Sequence, residues 1–186
     1  MSHDDAINNF RFIGEESSAA SNATPVLTDA PTWIIDPIDG TTNFVHGIPI
    51  IGISIGLAVN KKVVIGFVYN PVTNEFFSAA KGKGAFLNGK RIHSSKNEDL
   101  NEAIISNETS LARIPFLRDR TMARLLKAVE VAQGVRCIGS AAISLCYVAT
   151  GGFDGYFTDG LKCWDVAAGQ IIIEEAGGCL FNPNGK

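Results

Sequence analysis

From Ile50 to Val59 the chain alternates branched and small residues. Ile51, Ile53, Ile55, Leu57 and Val59 stand against Gly52, Ser54, Gly56 and Ala58. A period of two predicts a strand, and the small set predicts a face that something else approaches closely. Asn60-Lys61-Lys62 turns the chain, and Val63 to Tyr69 returns as a second strand. Asn70 to Asn74 turns it again into Glu75–Ala80. Ala85–Leu87 and Lys90–His93 flank Asn88-Gly89, a strong hairpin signal. The pattern predicts an antiparallel meander of four or five strands. Beyond it, strands at Ala103–Ser106, Val135–Ile138 and Gly155–Phe157 alternate with helices. One helix spans Phe116 to Ala132, with Met122, Leu125, Leu126 and Val129 as its apolar stripe. A second runs from Ala141 to Thr150, capped by Ser140 and stopped by Gly151-Gly152, and a third follows Asp165 and ends at Gly177-Gly178. A meander followed by strand–helix alternation argues for a layered α/β fold. Ser17 to Thr28 is the one linker-like stretch.

Composition narrows the function classes. A chain of 186 residues is one domain by size, read here as residues 1–186. A net charge of −3, a pI near 5.6 and no basic stripe with aromatics argue against nucleic-acid binding. Met1 to Phe10 is polar and acidic, unlike a signal peptide, and the apolar run Ile48–Val59 is too short and too interrupted to span a bilayer. Cys137, Cys146, Cys163 and Cys179 show no close pairing, and Cys146 and Cys163 lie in apolar surroundings expected of buried free thiols. The expectation is a reducing, cytoplasmic setting.

The chemistry concentrates in Trp33-Ile34-Ile35-Asp36-Pro37-Ile38-Asp39-Gly40-Thr41-Thr42-Asn43. The apolar run reads as a buried strand that stops at Asp36, and Pro37 stiffens a turn that brings Asp39 beside it. Two carboxylates so close repel each other unless a cation lies between them. An all-oxygen, thiol-free donor set suits a hard ion such as Mg²⁺. Gly40-Thr41-Thr42 can open a helix whose free N–H groups face the same point, a setting for phosphate. Asp165, at the start of the last helix, reads by itself as a cap. Gly14-Glu15-Glu16-Ser17 reads by itself as a surface loop. His46 and His93 read as a structural and an exposed residue, and Trp33 and Trp164 as core anchors.

Together, Gly14–Ser17, Trp33 through His46, Gly139-Ser140-Ala141-Ala142 and Trp164 through Gly178 resemble the inositol monophosphatase family of Mg²⁺-dependent, lithium-sensitive phosphatases. The Asp-Pro-x-Asp-Gly core is shared with fructose bisphosphatases and bisphosphate nucleotidases; the continuation Thr41 to His46 looks like the inositol monophosphatase branch. The resemblance implies a five-layer α-β-α-β-α sandwich, incomplete here at both ends, and a homodimer. It implies that Glu15, Asp36 and the Ile38 carbonyl hold one Mg²⁺, and that Asp36, Asp39 and Asp165 hold a second. Two or three ions are expected, with Li⁺ as inhibitor. Glu15 and Thr41 would be catalytic, orienting and deprotonating the attacking water. Gly40 and Thr41 would hold phosphate oxygens, and Gly139, Ser140, Ala141, Thr158 and Asp165 would face the substrate. The expected reaction is hydrolysis of inositol monophosphate to inositol and phosphate. Thr158 stands where animal relatives carry a glutamate that contacts inositol hydroxyls, with Asp159 beside it, so the choice of polyol stays open. Other small phosphate monoesters are the alternative substrates, and a non-catalytic fragment that pairs with a full-length relative is the alternative role.

Overall fold

The computed structural model describes residues 10–16 and 26–182. Ser17, most of the linker-like stretch and the turn beginning at Pro183 lie outside the described residues. The meander forms as the alternation predicts. A seven-stranded sheet runs in chain order through β1 (Arg11–Gly14), β2 (Thr32–Asp39), β3 (Gly52–Val59), β4 (Lys62–Asn70), β5 (Glu75–Ala80), β6 (Gly84–Leu87) and β7 (Lys90–Ile92). All its neighbours are antiparallel except β1 and β2, which are parallel. Asn60, Lys61 and Asn88 take the left-handed backbone that tight hairpins require.

The small residues of β3 do what their pattern suggests. Gly52, Ser54, Gly56 and Ala58 are all buried, whereas Ile53, Ile55, Leu57 and Val59 are only half-buried. A Cβ at Gly56 would sit 3.0 Å from the Ala167 side chain, and one at Gly66 on β4 would sit 2.4 Å from Ile171. Both contacts lie on one helix, α4 (Cys163–Ala176), which therefore rests almost on the strand backbones. Helix α3 (Ala141–Ala149) packs beside α4 and shares its core with Val68, Phe77, Ile143, Ile171 and Ile172. A second, three-stranded parallel sheet follows, ordered β10 (Gly155–Phe157), β8 (Ile104–Asn107), β9 (Gly134–Arg136), and α2 (Pro115–Val131) packs against it. The short helix α1 (Thr41–Val45) leaves the end of β2. The described elements thus stack as sheet, helix pair, sheet and helix, a layered α/β fold.

Three local expectations need correction. Strand β2 does not stop at Asp36; it runs to Asp39, with its pairing to β3 shifting register between the two aspartates, where Pro37 has no N–H to give the ladder. On α2 the stripe read from Met122, Leu126 and Val129 is exposed, and the buried positions are Thr121 and Ala128. Both buried residues are small, which a count of large apolar side chains does not reveal. Cys163 is exposed rather than buried, because it opens α4 at the surface, whereas Cys146 is buried. All four cysteines are free. No described helix is long and apolar enough to cross a membrane. Trp164 is buried, and Trp33 is half-buried and stacks on Phe10 at 6.2 Å between ring centroids.

Candidate metal and phosphate site

The last residues of β2 and the first turn of α4 converge. Oxygens of Asp36, Asp39 and Asp165 lie within 4.8 Å of one another. Asp36 is 1% exposed and Asp39 8% exposed. The convergence has a local cause. Asp36 pairs with Ser54 across the sheet, and the Ser54 hydroxyl donates to the Trp164 carbonyl at 3.1 Å, which ties the strand beneath Asp36 to the start of α4. Asp165 sits in the first turn of α4, where its Oδ2 accepts the Lys162 N–H at 2.6 Å. It therefore does cap the helix, from inside the first turn rather than from the flanking position, and the same carboxylate joins the cluster.

Electrostatics mark the cluster as incomplete by itself. Burial pushes the Asp36 carboxyl up to about 7, with further pushes from the charges of Asp39, Glu15 and Asp165, against the Ile38 N–H that it accepts at 3.0 Å. Burial also raises Asp39, to about 6, although Ser140 and the Ala142 N–H donate to it. Asp165 is raised by burial too, opposed by the Lys162 N–H and ammonium. Among the described residues no lysine or arginine forms an ion pair with any of the three. Two buried carboxylates and a half-buried third, offset only by the Lys162 ammonium near Asp165 and offering only oxygen, fit a hard divalent cation.

The other expected residues fall into place to different degrees. Glu15 follows directly on β1, whose Gly14 pairs with Ile35, so it stands beside Asp36 and its charge is felt there; its oxygens lie outside the close trio. The Thr41 hydroxyl is exposed and donates to the Ile38 carbonyl at 3.1 Å, so two of the expected groups touch each other. Gly40 takes φ 86°, and a Cβ there would meet the Ile50 and Gly139 carbonyls at 3.0 and 3.1 Å. Only glycine allows the chain to pivot there from β2 into α1. Gly139 takes φ 79°, and a Cβ there would press on the Asn43 amide at 2.8 Å. Ser140 caps α3, accepting the Ile143 N–H at 3.2 Å, and is buried with its hydroxyl given to Asp39. Ala141 is buried, in the first turn of α3. The Thr158 hydroxyl donates to the Asp159 carbonyl at 3.3 Å, while the Asp159 carboxylate is held by Arg124 at 2.6 Å and Arg120 at 3.2 Å. Asp159 is thus committed to α2. His46 and His93 are exposed.

Two residues matter that sequence reading gave no role. Asn43 is buried and donates from Nδ2 to the Ile50 carbonyl at 2.7 Å and the Ile138 carbonyl at 2.8 Å. Glu108, at the end of β8, accepts the Gly139 N–H at 2.9 Å, and burial raises its carboxyl. Asn43 lies inside the motif already quoted, but its partner Ile138 is 95 residues away. Glu108 follows an ordinary strand, and nothing local distinguishes it from a surface acid.

Comparison with known proteins bears on this geometry. The Inositol monophosphatase family matches residues 3–186. The human protein named inositol monophosphatase 1 is 47% identical over 175 residues, which is 94% of this chain and 63% of that protein. The chain thus spans somewhat under two thirds of that relative's length. Among solved structures, the extragenic suppressor protein suhB from Bartonella henselae aligns with a TM-score of 0.85 at 34% identity, covering 97% of this chain and 67% of that one. An inositol monophosphate-bound SaIMPase-II aligns with a TM-score of 0.84 at 30% identity, covering 98% and 68%. With its aspartate trio where the end of β2 meets the start of α4 and a family match along nearly its whole length, the chain belongs to the inositol monophosphatase family.

Proposed function

We propose that the chain hydrolyses a phosphate monoester, inositol monophosphate first among candidates, at the Asp36–Asp39–Asp165 cluster with Mg²⁺. The observation that carries this is the aspartate trio, whose oxygens lie within 4.8 Å and whose carboxyls burial and mutual charge push upward in the absence of a cation. Asp36, Asp39, Asp165, Glu15 and the Ile38 carbonyl would hold two or three Mg²⁺ ions. Bound Mg²⁺ supplies charge neutralisation for the phosphate and lowers the pKa of water.

The chain's own groups do the rest. Glu15 accepts a proton from the attacking water, since its charge reaches Asp36 from outside the close trio. The Thr41 hydroxyl, anchored on the Ile38 carbonyl, keeps its lone pairs free to accept a hydrogen bond from that water and hold its direction. The N–H groups of Gly40 and Thr41, at the opening of α1, bind phosphate oxygens. Gly139 and Ala141 present backbone to the alcohol side of the ester, and Asp165 and Thr158 face its hydroxyls. No side-chain nucleophile is required. The same reading makes Li⁺ an inhibitor that competes at the cation site, and makes the chain a cytoplasmic homodimer.

Phosphate release from inositol 1-phosphate by the purified chain, with and without Mg²⁺, tests the reading. Release that requires Mg²⁺ and stops on chelation is expected; none at any Mg²⁺ concentration refutes it and favours a non-catalytic partner of a longer relative. A second substrate class, such as a nucleotide or histidinol phosphate, gains support from Thr158. Its hydroxyl turns to the Asp159 backbone, and Asp159 is taken by two arginines, so no carboxylate is left there to grip a polyol. A panel of monoesters assayed side by side ranks the two classes.

A further inference from the structure

Asp39 is held differently from its two neighbours. Its Oδ2 accepts both the Ser140 hydroxyl and the Ala142 N–H, the latter at 2.9 Å. Both bonds come from the opening of α3, so the carboxylate is docked on a helix N-terminus. Ser140 is 1% exposed. A serine hydroxyl has one proton to give, and here it goes to Asp39, while the oxygen accepts the Ile143 N–H. Ser140 therefore has no donor left for a substrate hydroxyl. The turn before it is fixed from two further sides: Glu108 accepts the Gly139 N–H, and Asn43 donates to the Ile138 carbonyl.

We propose that Ser140 is a positioning residue for the cation site rather than a substrate contact. It commits Oδ2 of Asp39 to α3, fixes the direction in which Asp39 faces the cluster, and makes the polyol-side turn and the cation site one rigid unit. This rests on the reading of Asp39 as a cation ligand. A carboxylate held by a charge-assisted hydrogen bond is already ordered, and that order strengthens cation binding.

Calorimetric titration of Mg²⁺ into the full 186-residue chain tests the placement without relying on turnover. Ser140→Ala is expected to weaken Mg²⁺ binding roughly tenfold, the scale of one hydrogen bond to a charged group. Ser140→Thr, which keeps the donor, is expected to restore it to within about twofold. Ser140→Cys keeps the volume and removes the strong donor, so it reads the same loss if the alanine variant does not fold. The KM for inositol 1-phosphate at saturating Mg²⁺ should stay within about twofold of wild type in each folded variant. Wild-type Mg²⁺ affinity in the alanine and cysteine variants, or a raised KM with unchanged Mg²⁺ affinity, overturns the proposal. A chain that shows Ser140-dependent Mg²⁺ binding yet hydrolyses no phosphate monoester would refute the proposed function and leave this placement standing.

Discussion

The two faces of the seven-stranded sheet are built on opposite rules. The inner face carries Gly56, Gly66, Ser54 and Ala58, and α4 lies almost on the strand backbones. Asp36 belongs to this face, and it is buried because the helix comes that close. The outer face carries Trp33, Ile35, Ile53, Ile55, Leu57, Ile65, Phe67 and Phe76, large residues that remain half-buried or exposed. Among the described residues, Phe67, Tyr69 and Phe76 stack only on one another there, and both helices that pack on the sheet, α3 and α4, lie on the other side. The lesson is that small residues, not hydrophobic ones, create the site. They remove the spacing that side chains impose between sheet and helix, and so let a strand carboxylate meet a helix carboxylate out of water.

If that contrast is right, substitutions on the two faces should separate by kind as well as by size. The largest effect is expected for Asp36→Asn, which removes the most strongly perturbed carboxylate. Mg²⁺-dependent phosphate release should fall by roughly 10²-fold or more, beyond the losses usual for residues that merely support ligands. The same variant without metal should melt higher than wild type, because repulsion from Asp39, Glu15 and Asp165 is relieved. Steady-state assays and a melting curve read both. Thr41→Ala should lower kcat by about 10²-fold, the low end for groups that aim or accept a proton, with Mg²⁺ affinity nearly unchanged. A drop in Mg²⁺ affinity that matches the drop in kcat would move Thr41 from the water to the cation site.

Gly66→Ala probes the inner face without touching a ligand. Its methyl would stand 2.4 Å from Ile171 and 2.6 Å from the Ala168 carbonyl. Overpacking of this kind costs about 1–3 kcal/mol, which for a chain of this size lowers Tm by a few degrees per kcal/mol. Leu57→Thr on the outer face should cost less, within about 1 kcal/mol, because its β-propensity is kept and its side chain is already half in water. Melting both variants side by side would blur the contrast if the outer-face change proved the costlier.

Much of this was legible in the chain. The alternation from Ile51 to Val59 carries both the strand and its crowded face, and the hairpin at Asn88-Gly89 falls where its dihedrals require. Asp36 and Asp39 were visible as a pair because a turn of three residues can be judged locally. Other parts depend on distance. The cap that Ser140 makes is legible because it is local, whereas its bond to Asp39 spans 101 residues. The buried side of α2 rests on Thr121 and Ala128, set by tertiary packing that no local pattern shows, while the more hydrophobic Leu126 and Val129 face outward. Asp165 reads as a cap in any sequence window; only the resemblance sets it beside Asp36 and Asp39, and in the fold its carboxylate faces both.

The central claim, that Asp36 and Asp39 are held ready for a cation, is tested most directly by melting the chain against pH with and without Mg²⁺. In the metal-free fold both groups bind protons more tightly than in the unfolded chain, at about 7 and about 6 against an ordinary 3.8. Over that window the folded state holds more protons than the unfolded one, so stability should fall as pH rises from about 4 to about 7 and level off above. Saturating Mg²⁺ should raise Tm most at the upper end of the window, where the carboxylates are charged, and little at its lower end, where protons hold their place. A metal-free Tm that does not fall across this range, together with a Mg²⁺ effect that is absent or independent of pH, would contradict the account.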